Sequence, residues 1–256
     1  MTTQDEYIEV SGHRVHLRRI GSVGVGASLL FLHEGLGSVE LWRDFPAAVA
    51  ARTGRHALVY SRPGYGRSDP VPEPRKPDYM HREALEVLPG VVPEGTGPPI
   101  LVGHSDGASI AIIYAGAGHP VAGLILIAPH VFVEDHGLAA IRAVNESFDS
   151  SGLAESMAKY HLDPESTFRG WADIWLSPEF RAWNIEEYLE EIICPVLLVQ
   201  CEGDEYGSMA QLDAIEARVP GPVERLVLPE PGHSPHLLHP EVVIAATADF
   251  LSRIGG

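Results

Sequence analysis

Eight short apolar runs, most of them rich in β-branched residues, recur along the chain at residues 7–10, 15–20, 28–33, 56–61, 99–104, 121–128, 196–201 and 223–228. Segments of helical periodicity, at 41–52, 79–88, 107–118, 209–219 and 241–253, fall between most of them. This alternation narrows the possible folds sharply. Strands that run parallel need long crossovers, and strands apolar on both faces need cover on both sides. The expectation is an α/β protein with a mostly parallel eight-stranded sheet and helices on both faces. Only Ser11-Gly12-His13 separates the first two runs, which predicts an antiparallel edge hairpin.

One interval breaks the pattern. Residues 130–190 carry helical periodicity and Trp171, Trp175 and Trp183, but no convincing strand. An excursion of about 60 residues is too long for a simple loop. It reads as a small helical cap over the carboxyl edge of the sheet, where such sheets place their ligand crevices. The expected organisation is a core of residues 1–129 and 191–256 with a cap at 130–190. Residues 72–77 and 91–99 read as loops.

The sequence "ILVGHSDGASIAIIYAGAG" changes from strand to helix character around Ser105, which stands between Gly103 and Gly107. A serine on so tight a turn projects its hydroxyl beyond the sheet, and side chains two positions either side would collide with neighbouring elements. The following helix points its positive end at the reaction centre. Serine and aspartate are also good helix caps, so a purely structural turn is the competing reading. As a nucleophile Ser105 needs a base, itself oriented by a third group. "LLVQCEGDEYG" offers Glu202, Asp204 and Glu205 just past a strand; Asp204 is the choice and Glu202 the fallback. "LPEPGHSPHLLHPE" offers His233 as the base. His236 and His239 follow at spacings of three, but Pro235 and Pro240 break any helix that would align them, so no metal site is expected. An oxyanion hole would draw one N–H from Asp106 and the other from Gly35 in "FLHEGLGS".

These pieces, together with "SRPGYGRSD" after the fourth strand, resemble the α/β-hydrolase superfamily along nearly the whole chain. The resemblance implies the α/β-hydrolase fold and a Ser-Asp-His triad, and says much less about substrate. Glu34 departs from the His-Gly pattern of many relatives and puts a carboxylate near the mouth of the site. Ser61 stands where many have aspartate, and Cys201 where glycine is common. Asp106 and "WADIWL" are similar to the valacyclovir hydrolase group, in which the aspartate helps receive a substrate ammonium. By that likeness Asp106 and Glu34 form an anionic pocket; otherwise Asp106 caps its helix or pairs with an arginine of the cap. His130, Phe132 and Trp175 are further candidates for the substrate pocket.

The reaction expected is hydrolysis of a small carboxylic ester or thioester through an acyl-enzyme, carboxylesterase-like, without a cofactor. The nearest rival is a carbon–carbon bond hydrolase of aromatic degradation, whose cap presents cations to a substrate carboxylate; Arg142, Lys159, Arg169 and Arg181 are the candidates. A receptor of the same fold that does not turn over its ligand is the third reading. Eighteen basic against 35 acidic residues, a net charge of −17, argue against nucleic acid and anionic membrane as partners. The start, MTTQDEYIEV, carries no basic and apolar leader pattern, and no run is long enough to span a bilayer. Cys194 and Cys201 bracket one predicted strand, roughly 20 Å apart at about 3.3 Å per residue and too far to bridge. A cytoplasmic protein acting on a small molecule is the expectation, with the oligomeric state open.

Overall fold

The computed structural model describes residues 2–22, 27–71, 74–93, 95 and 97–254, so Pro72, Glu73, Glu94 and Thr96 of the two expected loops lie outside the described residues. Eight strands form one sheet: β1 (Thr3–Val10), β2 (His13–Ile20), β3 (Leu29–Leu32), β4 (Ala57–Tyr60), β5 (Ile100–His104), β6 (Gly123–Ile127), β7 (Val196–Gly203) and β8 (Val223–Pro231). Their order is β1-β2-β4-β3-β5-β6-β7-β8. The β1–β2 hairpin is antiparallel and β2 joins β4 antiparallel, while every later pair is parallel.

The helices are α1 (Phe45–Thr53), α2 (Tyr79–Arg82), α3 (Leu88–Val91), α4 (Asp106–Gly116), α5 (Asp135–Ser147), α6 (Leu153–Met157), α7 (Pro164–Leu176), α8 (Met209–Arg218), α9 (Pro235–Leu238) and α10 (Pro240–Ile254). Two of them depart from the sequence expectation. The segment expected at 41–52 begins as a 3-10 turn, Glu40–Trp42, and restarts at Phe45, where Pro46 in the first turn needs no N–H acceptor. It ends on Gly54 at φ 69°, a left-handed cap that suits glycine. The helix expected at 79–88 runs on to Val91 through a π-turn, Glu83–Val87, just ahead of Pro89, whose missing N–H disrupts regular helical bonding.

Within each central strand the side chains alternate between two apolar layers. Leu30, Leu32, Leu58, Leu101, Leu124 and Leu198 pack with α4 on one face. Leu29, Phe31, Val59, Val102, Ile125 and Val199 pack with α1 and α10 on the other. Burial on both faces explains why these strands read as continuous apolar runs. Between β6 and β7 come α5, α6, α7 and two 3-10 turns; an isolated bridge, Phe132 with Asn184, is the only strand-like pairing described there. Among the described residues no helix is long and apolar enough to cross a membrane. Both cysteines are free.

Candidate active site

β5 ends at His104 and α4 begins at Asp106, leaving Ser105 as the single hinge, at φ 53° and ψ −118°. A non-glycine residue at positive φ is strained and persists only where its surroundings enforce it. The surroundings here are backbone. A Cβ on Gly103 would lie 2.4 Å from the Gly107 carbonyl oxygen, and one on Gly107 would lie 2.0 Å from that of Leu32. The Ser105 N–H donates to Ile127 O at 2.9 Å, and the Ser105 carbonyl accepts from Ala108 and Ser109. Its hydroxyl makes no capping bond to α4.

The loop after β7 carries Asp204 and the segment after β8 carries His233. His233 Nδ1 lies 2.9 Å from each carboxylate oxygen of Asp204. Asp204 also accepts from the Tyr206 N–H at 2.9 Å, which fixes the carboxylate from a second side. Of the loop's acids, Asp204 is buried and Glu202 is exposed. Burial pulls the His233 imidazole down, but the hydrogen bond and charge of Asp204 outweigh it and leave the ring above its ordinary value. Burial pushes the Asp204 carboxyl up, and the bond to His233 overcomes this to hold it low. The rings of Tyr206 and His130 flank His233 at 4.7 and 5.7 Å.

The loop after β3 brings up Glu34 and Gly35. A Cβ on Gly35 would sit 2.2 Å from Trp171 Nε1, so α7 packs directly on main chain there. Arg62, buried after β4, organises this loop from beneath. Its N–H donates to His33 Nε2 at 3.1 Å, and Nη2 donates to the Glu34 carbonyl at 2.8 Å. With Nε2 accepting, the His33 proton sits on Nδ1, which donates to the same carbonyl at 2.7 Å. Among the described residues the N–H groups of Gly35 and Asp106 donate no hydrogen bond.

Ser105, Asp106, Glu34, Gly35, His130, Trp175 and His233 all line one cavity with about 590 Å³ of empty space, part of it open to solvent. Asp204 stands behind His233. Leu36, Trp171 and Tyr206, with Glu134, Gly137, Leu138 and Ile141 at or near the start of α5, complete the lining. Those last four recur at helical spacing (i, i+3, i+4, i+7), a signal in the sequence that identifies a shared face but not the cavity it meets. Phe132 is absent from the lining; its main chain bonds the Gln211 side chain instead.

The expected anionic pocket takes a different form. Asp106 is buried; its Oδ2 accepts from Tyr79 Oη at 2.6 Å and lies 3.7 Å from Arg62 Nη1. Tyr79 in turn accepts from Trp175 Nε1 at 3.0 Å. The arginine paired with Asp106 thus comes from the loop after β4, not from the inserted helices. Glu34 faces His104, Nδ1 to Oε2, at 3.4 Å. The cations considered for a substrate carboxylate lie elsewhere: Arg142, Lys159 and Arg181 are exposed, Arg169 pairs with Asp149, and none of the four lines the cavity. The three histidines near the C-terminus diverge. His233 turns to Asp204, His236 packs 4.9 Å from Trp42, and His239 faces Glu230 at 3.5 Å.

Comparison with known proteins agrees with this architecture. Among curated proteins, protein PHYLLO of the Arabidopsis thaliana chloroplast is 24% identical over 290 residues, covering 96% of this chain; the chain spans 17% of that protein's length. A serine hydrolase involved in carbazole degradation superposes with a TM-score of 0.75 at 18% identity, over 98% of this chain and 99% of the other. A thermophilic esterase from Thermogutta terrifontis gives 0.72 at 21%, over 99% and 100%. Residues 29–246, from the first buried central strand into the last helix, match the model of the alpha/beta hydrolase family, and the chain belongs to that family.

Proposed function

We propose that the protein is a serine hydrolase that cleaves a small carboxylic ester or thioester through an acyl-enzyme. The observation that carries this reading is the His233 ring, held by both Asp204 oxygens at 2.9 Å and lining the same cavity as Ser105. With Nδ1 committed to Asp204, Nε2 is the nitrogen left to take a proton. Ser105 Oγ attacks the substrate carbonyl carbon as its proton passes to His233 Nε2. The carbonyl π electrons move onto oxygen, which accepts from the N–H groups of Gly35 and Asp106. Collapse of this intermediate expels the alkoxide or thiolate, protonated by His233. A water then gives a proton to His233 as its oxygen bonds the acyl carbon, and the second intermediate collapses by breaking the bond to Ser105 Oγ, which takes that proton back from His233 as the acid leaves. Residues 130–190 act as a cap that supplies Leu138, Ile141, Trp171 and Trp175 to hold an apolar acyl or alcohol portion.

The carbon–carbon hydrolase reading lacks its recognition element, because no lysine or arginine lines the cavity among the described residues. The test is a fluorophosphonate probe together with a panel of ester, thioester and amide substrates. Labelling at Ser105, with multiple turnovers yielding acid plus alcohol or thiol, is the expected result. An unlabelled Ser105, or a single stoichiometric burst, overturns it.

A further inference from the structure

The peptide unit that carries the Gly35 N–H is held at its other end, the Glu34 carbonyl. Arg62 Nη2 donates to that oxygen at 2.8 Å, His33 Nδ1 at 2.7 Å and the Gly37 N–H at 3.1 Å. Among the described residues no peptide bond is cis, so the carbonyl and N–H of each unit point opposite ways. The Gly35 N–H is thereby turned away from these donors, and Gly35 lines the cavity. The Leu36–Gly37 unit repeats the arrangement. Its N–H is the one that reaches the Glu34 carbonyl, and its oxygen lies 3.0 Å from His161 Nε2. A row of hydrogen bonds thus runs from His161 through two peptide units to Gly35, each bond polarising the next.

His161 is buried between α6 and α7, and its two nitrogens meet backbone groups of opposite character. The Gly66 N–H donates to Nδ1 at 3.0 Å, so Nδ1 carries no proton. The Leu36 carbonyl only accepts, so Nε2 carries one. The ring is therefore neutral and in a single tautomer. Two more bonds fix its place: the Leu162 N–H donates to the Gly66 carbonyl at 2.9 Å, and Thr167 Oγ1 to the Gly64 carbonyl at 2.8 Å. Gly66 is itself confined, since a Cβ there would lie 2.3 Å from Ser61 Oγ. The titratable groups around the ring are Glu34 and His33 on the turn, Glu40, which pairs with Arg67, and Tyr65 at 6.4 Å. Burial keeps the imidazole below its ordinary value, against the pull of the Leu36 bond and the two glutamates.

We propose that His161 is a positioning residue of the oxyanion hole: as the neutral Nε2–H tautomer it lets the inserted helices set the Glu34–Gly37 turn, and with it the direction of the Gly35 N–H. Arg62 grips the same turn from the loop after β4, so the two holds come from separate elements. Protonation of His161 puts a proton on Nδ1, facing the Gly66 N–H, and leaves that buried donor without an acceptor. The grip is therefore one that acid loosens. The catalytic part of this role rests on the serine-hydrolase reading; the tautomer and its two bonds do not.

The test joins a spectroscopic and a kinetic measurement. Nitrogen-15 spectra of the histidine rings at about pH 7.5, assigned through His161→Gln, are expected to show Nε2 protonated and Nδ1 bare. A charged ring or the opposite tautomer overturns the proposal. The kinetic arm compares three substitutions in hydrolysis of a nitrophenyl ester. His161→Phe fills the space without either bond, and His161→Asn offers an acceptor at the reach of Nδ1 but no donor at the reach of Nε2. Both are expected to lower kcat about ten- to thirtyfold with KM within about threefold, less than the hundred- to thousandfold cost of losing an oxyanion donor outright. His161→Gln restores a donor at the reach of Nε2 and should return kcat to within about threefold of the parent. Equal losses in all three, or an unchanged kcat in His161→Phe, overturn the positioning role. Thermal melts separate these effects from unfolding and give a second readout. A ring held below its ordinary value of 6.5 supports the fold above that pH and progressively less below it. The parent should therefore lose melting temperature on acidification faster than His161→Gln, and parallel slopes overturn the acid sensitivity. Because spectra and melts need no turnover, an unlabelled Ser105 would remove the hydrolase reading while leaving the tautomer and its two bonds standing.

Discussion

Ser105 reaches the cavity from a turn whose confining neighbours are backbone, whereas Trp175 reaches it from within a helix held by side chains. At the turn the clashes that forbid a Cβ on Gly103 and Gly107 involve carbonyl oxygens and main-chain atoms of β3 and α4. Around Trp175 the contacts are with Phe180 at 4.9 Å, Trp183 at 5.9 Å and His130 at 5.5 Å, together with its bond to Tyr79. Backbone contacts leave few alternative solutions, while packed rings can be exchanged for others of similar volume. The Ser105 side should therefore respond to substitution in an all-or-none way, and the side built by the inserted helices in a graded way.

The sharpest way to break that contrast is Ser105→Ala, expected to cost more than about ten-thousandfold in kcat/KM. The melting temperature should stay close to the parent's, and retained turnover in an ester assay would sink the assignment. Asp204→Asn should cost about a thousandfold, because the ring loses its orienting partner. It carries a second readout with a definite sign. Asp204 holds the His233 ring above its ordinary value, and the proposed base must be neutral to act, so activity should fall as pH drops through that raised value. Without the carboxylate the residual activity should persist to lower pH. Gly107→Ala should destabilise by at least about 3 kcal/mol, since the new methyl meets a fixed carbonyl rather than a mobile side chain. Urea denaturation measures this, and an unchanged midpoint would show that the turn can relax. On the graded side, Leu138→Ala should lower kcat/KM for a short acyl ester about tenfold and favour a longer acyl chain, in line with the value of a few buried methylenes. A chain-length series of nitrophenyl esters resolves it.

What the sequence revealed follows the same division. All eight strands were legible, and β3 to β6, buried along their whole length, cannot avoid being continuous apolar runs. Ser105 and its glycines were legible because the turn tolerates so few residues. Asp204 was distinguishable from Glu202 only by loop position, and the fold places it, unlike Glu202, in the buried position against His233. The pairing of Asp106 with Arg62 left no trace, since the two residues lie far apart in the chain and meet only through the register of β3, β4 and β5. Glu34 drew notice as an anomaly in the loop, but His104, which it faces, looked like an ordinary residue of a buried strand. The face of α5 that meets the cavity was written in its periodicity; its destination depended on how the long excursion folds back.

The left-handed φ of Ser105 has a consequence for the balance between chemistry and durability. The conformation belongs to the turn, not to the hydroxyl, and a side chain there carries a penalty of roughly 1–2 kcal/mol. Ser105→Gly lifts that penalty while adding freedom to the denatured chain, two effects of about the same size and opposite sign. The silent enzyme should therefore melt close to the working one. At Ser109, a few residues along α4, the hydroxyl donates to the His130 carbonyl and the backbone is helical, so the same exchange should lower the melting temperature clearly. Under the proposed mechanism, the side chain that the reaction needs most is thus one whose loss the fold should barely register.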